Sequence, residues 1–215
     1  MSFRTIFFDL DDTLYPPSSG LWNAIRDRMV QYMIERLKIS AELVPDLRKS
    51  YFETYGTTLK GLQIHYQINT DEYLAYVHDL PLHEYLKPDP VLRNIILSLP
   101  QNRWVFTNAD DAHARRVIFE LALTDCFYGI IDIKATNFIC KPEIKAYQMA
   151  LSITCEDNPS KCVLIEDSPR NIPPARELGF YTILLGNGND NTIADLTLGS
   201  LHELPLALPE LWSGD

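Results

Sequence analysis

Cysteine, basic residues and long apolar runs are all scarce in this chain of 215 residues. Its four cysteines form no C-x-x-C pair and lack metal-ligand spacing, so we expect reduced, mostly buried thiols rather than a disulfide framework or a zinc site. No apolar run approaches the roughly 20 residues that cross a bilayer. Asp9 interrupts the first apolar run too early for a secretory signal. The sequence therefore predicts a cytoplasmic protein with no membrane partner.

Positively charged residues are also few: the chain has 19 Lys and Arg residues against 29 Asp and Glu residues, which gives a net charge of −10. A nucleic-acid polymer needs a basic surface, so the charge argues against such a partner. The chain length suits one domain plus an insertion. A small anionic substrate would need a metal ion or a placed lysine to attract it. Nothing in the sequence indicates an oligomeric state.

The most informative feature is an apolar run, Phe7–Phe8, that leads into the carboxylates Asp9, Asp11 and Asp12. A buried strand followed by acids is typical of the carboxyl edge of an open α/β sheet, where such folds carry their chemistry. Adjacent carboxylates repel one another, so this spacing is costly unless a cation or a reaction uses it. A solvated acidic turn is the alternative interpretation of these residues alone.

Four further β-rich runs follow, and helix-like segments separate them. The runs are residues 104–106, 130–133, 163–165 and 181–185, and the helix-like segments are residues 111–123, 144–152 and 172–178. This alternation predicts an α/β fold with a parallel sheet built from βαβ units. The strands are almost continuously apolar, which favours a sheet covered on both faces.

One interval, residues 16–85, contains no strand pattern and is helical throughout. Its first helix has an apolar stripe at every fourth residue, namely Leu21, Ile25, Met29, Met33 and Leu37. We predict a second helix from an N-cap at Ser40 to about Tyr55, and a third that begins near Asn69. Residues 16–85 are therefore predicted to form an all-helical cap subdomain, inserted into a core of residues 1–15 and 86–215. Such a cap would lie over the acids as a lid. The tail from Leu201 to Trp212 is expected to pack on the core.

Each later strand ends in polar residues, which are Thr107 and Asn108, then Lys141, then Glu166 and Asp167 with Asn171 just beyond. Taken singly, these residues could cap a helix, sit in a solvated loop or form an acidic helix N-terminus. Together they suit phosphoryl transfer, because carboxylates hold Mg²⁺, hydroxyl and amide groups bind phosphate oxygens, and lysine neutralises charge. The five histidines have no partner at ligand spacing and are assigned no role.

In order and in spacing, four segments resemble the motifs of the haloacid dehalogenase (HAD) superfamily. They are Asp9–Thr13, Thr107–Asn108, Lys141–Pro142 and Glu166–Asn171. The helical insertion is similar to the C1-type cap of that superfamily. The resemblance implies a Rossmann-like core and Mg²⁺-dependent hydrolysis of a phosphomonoester through an aspartyl-phosphate intermediate.

The resemblance also implies a role for each matching residue. Asp9 would be the nucleophile, and Asp11 would protonate the leaving oxygen and then activate water. The implied metal ligands are the Asp9 carboxylate, the Asp11 backbone carbonyl and the Asp167 carboxylate, and the implied phosphate-binding residues are Thr107, Asn108 and Lys141. The implied supporting residues are Thr13, Glu166 and Asn171, and it stays open whether Glu166 contacts the metal, a water molecule or neither. Hydrolytic dehalogenases of this type do not need an acid at the position of Asp11, so Asp11 favours phosphate chemistry.

The cap suggests the substrate. Its segments Ser50–Gly56 and Lys60–Leu62, together with the return segment Leu86–Arg93, resemble the pyrimidine 5′-nucleotidase branch. The resemblance implies hydrolysis of UMP and CMP, with substrate-binding residues at Tyr51, Tyr55, Gly56, Lys60 and Gly61. Tyr51, Phe52 and Tyr55 could stack on a base or could simply pack the core of the cap.

Two alternatives to a nucleotidase stay open. The first is a phosphatase of sugar phosphates or phosphoglycolate, or one of broad specificity, whose small substrates would not need an aromatic pocket. The second is a binding protein that keeps the HAD fold without catalysis. Intact Asp9, Asp11, Lys141 and Asp167 argue against the second, because a silent scaffold need not retain them.

Overall fold

A computed structural model describes residues 3–186 and 193–213 of the chain. Within these ranges a single sheet has six parallel strands in the order β3-β2-β1-β4-β5-β6. The strands are β1 (Thr5–Phe8), β2 (Asn102–Phe106), β3 (Gly129–Ile131), β4 (Cys162–Glu166), β5 (Tyr181–Leu185) and β6 (Leu196–Leu198). The predicted parallel α/β sheet is confirmed, and β6 is an addition that the sequence analysis did not predict.

Both faces of the sheet are covered by helices, as the apolar strands predict. The helices are α5 (Pro90–Ser98), α6 (Asp111–Glu120), α7 (Ile144–Ile153) and α8 (Ile172–Leu178). Successive residues of a strand point to opposite faces. Phe8 accordingly belongs to a buried cluster with residues of α5 and α6, and Phe7 belongs to another with residues of α7 and α8. Central strand β1 is thereby fixed from both sides, and so is the acidic turn that follows it.

The chain between β1 and α5 is helical, as predicted. It contains α1 (Leu21–Glu35), α2 (Val44–Tyr55), α3 (Thr58–Tyr66) and α4 (Thr70–His78). Asn69 caps α4 as predicted, since its side chain accepts a hydrogen bond from the Glu72 amide. The predicted cap at Ser40 is wrong, because α2 begins only at Val44 and its N-cap residue is Leu43. None of the helices in the described ranges has the combined length and apolar character that crossing a membrane requires.

The four inserted helices share a hydrophobic cluster of their own, which includes Tyr32, Val44, Leu62 and Tyr73. Two residues from beyond β3, Ile133 and Cys140, complete this cluster. The first turns of α1 belong instead to the main core, where Leu21 and Ile25 are fully buried. The four inserted helices, called the helical layer below, therefore pack on the sheet domain through the start of α1 and through Ile133 and Cys140. The boundary of the cap at residues 16–85 stays a prediction.

The C-terminal tail packs on the core, as expected. It contains the short helix α9 (Leu204–Ala207). Leu201, Leu204, Leu208 and Leu211 are buried in the cluster that contains Phe8. The Gln101 side chain also donates a hydrogen bond to the Leu211 carbonyl at 2.7 Å. The tail thus closes the face of the sheet that carries α5.

Candidate active site

The carboxyl ends of β1, β2 and β4 meet at a cavity of about 550 Å³ between the sheet edge and the helical layer. Parallel strands end at the same edge, so motifs that are distant in the sequence converge there. Its lining from the sheet domain includes Asp9, Asp11, Asp12, Thr107, Asn108, Lys141, Glu166, Asp167 and Asn171. The structure therefore brings the predicted nucleophile, phosphate-binding residues and metal ligands together.

Lys141 lies at the floor of this cavity with its side chain 1% exposed. Its ammonium group donates to Asp9 Oδ1 at 2.7 Å, to Glu166 Oε2 at 2.6 Å and to the Phe106 carbonyl at 2.8 Å. Burial alone would lower the pKa of Lys141, but the Asp9 and Glu166 carboxylates raise it above its usual range. Lys141 is therefore a fixed cation that connects the first strand to the fourth.

Three carboxylates crowd around that one lysine. Oxygens of Asp9, Glu166 and Asp167 lie within 4.8 Å of one another. Burial and the nearby Glu166 raise the pKa of Asp9 to about 7, and burial together with Asp9 and Glu166 raises that of Asp167 to about 9. Three acids facing one ammonium group leave an excess of negative charge, and oxygen donors in such a cluster suit a divalent cation. The residues present therefore fit a metal site, with Glu166 bound to Lys141 at its side.

The Asp11 carboxylate is held apart from this cluster by two donors. Tyr15 donates its hydroxyl to Asp11 Oδ1 at 2.6 Å, and His113 Nε2 lies 3.0 Å from the same oxygen. Burial opposes ionisation of Asp11, but His113 and the Tyr15 hydrogen bond lower its pKa below the usual range. The backbone carbonyl of Asp11 stays the predicted metal ligand.

His113 was missed by the sequence analysis, which assigned no role to any histidine. It lies 102 residues from Asp11 in the sequence, and its side chain has no exposure to solvent. Its position in the sequence could have indicated a place in the site, because His113 lies in the first turn of α6, just after the Thr107–Asn108 motif. The first turn of a helix that follows a parallel strand lies at the carboxyl edge of the sheet, near the other motifs.

Thr107 and Asn108 end β2, but their side chains are already engaged. Thr107 Oγ1 accepts from the Ala109 amide at 3.0 Å. Asn108 Oδ1 accepts from the Lys141 amide at 2.8 Å, and its Nδ2 donates to the Lys141 carbonyl at 3.0 Å. The Asn108 side chain thus fixes the Lys141 backbone, and phosphate binding through the backbone amide next to Thr107 stays a prediction.

The two remaining supporting residues occupy different positions. Thr13 is buried, and its hydroxyl has no hydrogen-bond partner among the described residues. The turn around Thr13 is closed by hydrogen bonds from the backbone amides of Thr13 and Leu14 to the Leu10 carbonyl, at 3.3 and 3.0 Å. Asn171 lines the cavity, and its carbonyl accepts from the Tyr147 hydroxyl at 2.6 Å.

Most of the predicted substrate-binding residues of the cap do not line the cavity. Tyr51 is buried and stacks on His65 with 5.1 Å between ring centroids, and Tyr55 hydrogen-bonds His65 Nε2 at 2.9 Å. Gly61 lies directly against the Tyr51 ring, and Lys60 Nζ lies 3.4 Å from the Phe138 carbonyl. These four residues contact other parts of the protein and not the cavity. The prediction that they bind substrate is therefore corrected.

Gly56 does line the cavity. Its φ of +89° favours glycine, and a Cβ there would come within 2.8 Å of Cys140 Sγ. The neighbouring aromatic residue Phe52 also lines the cavity, with the Arg170 guanidinium 4.2 Å from its ring centroid. The end of α2 thus contacts the Lys141 loop and forms part of the cavity wall.

The lining of the cavity also includes three basic residues of the helical layer, Arg26, Arg48 and Lys49. Arg48 Nε is buried and has no hydrogen-bond partner among the described residues. Burial and the nearby Arg26 lower the pKa of Arg48. A guanidinium group on the wall of a cavity favours a ligand that carries an acceptor oxygen.

Comparison with known proteins identifies the family. Residues 3–179 match the haloacid dehalogenase-like hydrolase family, and the chain belongs to that family of hydrolases. A curated relative is phosphate metabolism protein 8 of Saccharomyces cerevisiae, 30% identical over 195 residues that cover 84% of this chain. The match spans 61% of the yeast protein's length.

Solved structures of the same fold cover nearly all of the chain. The HAD-hydrolase YfnB from Bacillus subtilis, bound to magnesium, superposes with a TM-score of 0.66 at 17% identity and covers 97% of this chain and 100% of that one. A HAD phosphatase from Thermococcus onnurineus has a TM-score of 0.66 at 17% identity, with 96% and 98% covered. The L-2-haloacid dehalogenase from Xanthobacter autotrophicus has a TM-score of 0.63 at 12% identity, with 96% and 98% covered. At these identities the likeness shows the fold.

Proposed function

We propose that this hydrolase is a Mg²⁺-dependent phosphatase that acts through an aspartyl phosphate and prefers the pyrimidine nucleotides UMP and CMP. The observation that carries the proposal is the pair of acids after β1. Asp9 is bound to a buried lysine, and Asp11, two residues later, has a carboxylate held by two donors in the same cavity. This arrangement supports attack by Asp9 and proton transfer by Asp11.

In the first step the Asp9 carboxylate attacks phosphorus, and the bond from phosphorus to the ester oxygen breaks. Asp11 gives its proton to that leaving oxygen. A phosphate dianion in the cavity would raise the pKa of Asp11, which favours the protonated form that this step needs. Lys141 and the N–H and O–H groups at Thr107 would bind the transferring oxygens.

In the second step ionised Asp11 takes a proton from water, and the resulting hydroxide attacks phosphorus. The bond between phosphorus and Asp9 breaks, inorganic phosphate leaves, and Asp11 again holds a proton. The carboxylates of Asp9 and Asp167 and the Asp11 carbonyl would hold Mg²⁺, with Glu166 alongside. When bound, the ion neutralises charge on the phosphoryl oxygens that would otherwise repel Asp9.

Two observations support a nucleotide rather than a smaller phosphoester. The cavity is large, and Phe52 and Trp22 offer it aromatic surface on which a base could stack. Uracil and cytosine both carry a carbonyl oxygen at C2 that the Arg48 guanidinium on the cavity wall could bind, whereas adenine has no carbonyl oxygen and guanine has one at C6 only. The yeast relative's name links that protein to phosphate metabolism, which is consistent with this substrate class.

The test is phosphate release from UMP, CMP, AMP, GMP, ribose 5-phosphate and phosphoglycolate, with Mg²⁺ and with a chelator. We expect Mg²⁺-dependent release led by UMP and CMP, and its loss in Asp9→Asn. The control is Asp157→Asn, which changes a carboxylate that is 90% exposed. Release led by ribose 5-phosphate or phosphoglycolate would refute the nucleotide preference, and activity in pure Asp9→Asn protein would refute the mechanism.

A further inference from the structure

A second histidine lies face to face with the one that contacts Asp11. His78, the last residue of α4, stacks on His113 with 4.0 Å between ring centroids and 16° between ring planes. Both residues are buried, at 6% and 1% exposure. His78 belongs to the inserted helices and His113 to the sheet domain, so the stack joins the two parts of the molecule beside Asp11.

His78 is itself fixed by the sheet domain. Its Nδ1 lies 2.8 Å from Asp110 Oδ1, and its carbonyl accepts from Arg116 at 2.8 Å. Arg116 also donates to the Leu80 carbonyl at 2.6 Å. The end of α4 therefore docks on α6 through a hydrogen bond, a ring stack and backbone contacts.

His113 depends on this docking for its orientation. Its Nε2 contacts Asp11, while its Nδ1 is buried without a hydrogen-bond partner among the described residues. A single hydrogen bond leaves an imidazole free to tilt, but a ring packed on its face does not tilt without losing contact. His78 thus supplies the second restraint on the ring that holds Asp11.

We propose that His113 is a positioning residue for Asp11 and that His78 holds His113 in place, so that docking of α4 orients the proton-transferring carboxylate. This inference rests on the proposed function. Donors from His113 and Tyr15 both bind Oδ1, so the other oxygen of Asp11 is available for proton transfer. Proton transfer is sensitive to such placement, and a shift of about 1 Å can cost on the order of a hundredfold in rate.

The test compares two substrates that differ in their need for a proton. The alkoxide of an alkyl phosphate leaves only with a proton from Asp11, whereas the phenolate of p-nitrophenyl phosphate leaves without one. The ratio kcat/KM reports the step that forms the aspartyl phosphate. We expect His113→Leu to lower kcat/KM for UMP or ribose 5-phosphate roughly a hundredfold, and to lower it much less for p-nitrophenyl phosphate.

Further variants separate positioning from general damage. His113→Gln keeps an N–H donor close to the position of Nε2, so we expect it to recover much of the lost activity. His78→Phe keeps the stacked face but loses the hydrogen bond to Asp110, so we expect it to lose less activity than His78→Ala, which should reproduce part of the His113→Leu pattern. The losses in the double variant His78→Ala, His113→Leu should not add, because both act on one ring. The exposed His83 provides the control His83→Ala.

Equal losses on both substrates, or unchanged activity in folded His113→Leu protein, would overturn the inference. If His113→Leu does not fold, His113→Gln and His78→Ala carry the same comparison of substrates. Wild-type protein that releases no phosphate from any substrate refutes the proposed function instead, so the two failures are distinguishable. Melting temperatures of all variants identify those that lost activity through unfolding.

Discussion

Lys141 is almost completely buried, so its positive charge has to be balanced inside the protein. Two carboxylates and a carbonyl satisfy its three N–H groups. Because Asp9 and Glu166 would otherwise face each other unpaired, the lysine stabilises the site itself. At this scale, a residue predicted only as a phosphate ligand also holds the predicted nucleophile.

We therefore expect Lys141→Met to abolish phosphate release and also to lower the free energy of unfolding by about 3 kcal/mol, the lower end of the cost of breaking a buried ion pair. The lower end applies because Asp9, with a pKa near 7, can take up a proton once the lysine is gone. Urea unfolding of both proteins measures the difference. The control is Lys87→Met at an exposed lysine, and a Lys141→Met protein of wild-type stability would contradict the prediction.

Arg48 offers a second test at the scale of the residue. If the Arg48 guanidinium donates a hydrogen bond to the base, Arg48→Met should lower kcat/KM for UMP and CMP by roughly tenfold to a hundredfold. This range corresponds to the free energy of a hydrogen bond to a charged group. Activity on ribose 5-phosphate, which lacks a base, should change little. Parallel kinetics with the exposed Arg36→Met variant supply the control. Equal losses on all three substrates would show that Arg48 does not read the base.

At the scale of the element, α2 and α3 pack with no room for a side chain between them. A Cβ at Gly61 would come within 2.2 Å of the Tyr51 ring. Gly61→Ala should therefore destabilise the helical layer by about 1–3 kcal/mol, the usual cost of overpacking. Differential scanning calorimetry against Ser50→Ala, on the exposed side of α2, measures this. An unchanged melting temperature would mean that α3 can shift away from Tyr51 without cost.

The elements also show what the sequence could and could not predict. Strands that are followed by polar site residues could be predicted from the sequence, because a buried apolar run followed by polar groups is typical of the carboxyl edge of a parallel sheet. Helix α3 was not recognised as a separate element, since only Gly56 and the N-cap residue Thr57 separate it from α2. Strand β6 has three residues, too few for a clear alternation.

The same distinction applies to the site residues: those with a local sequence signal were predicted, and those without one were not. Asp9 and Asp167 converge because the carboxyl ends of β1 and β4 lie side by side, and the loop after β3 brings Lys141 to the same edge. Tyr51 and Gly61 were wrongly predicted to bind substrate, because tyrosine and glycine are equally common in a binding site and between two closely packed helices. His113 was missed because side-chain pairs across 102 residues of sequence leave no local signal.

At the scale of the whole molecule, three hydrophobic clusters each contain one buried cysteine. Cys126 belongs to the cluster around Phe8, Cys162 to that around Phe7, and Cys140 to the cluster of the inserted helices. Burial raises the pKa of all three thiols, that of Cys162 to about 12. Cys155 is exposed. The chain thus carries one reactive thiol and three internal reporters of unfolding.

We expect one of the four thiols to react rapidly with a thiol reagent in the native protein, and Cys155→Ser to abolish that fast reaction. In rising urea, labelling followed by peptide mass spectrometry should detect Cys140 before Cys126 and Cys162. The reason is that the inserted helices form a smaller cluster, which can open while the sheet stays folded. Simultaneous labelling of all three at the global transition would show instead that cap and core unfold as one unit.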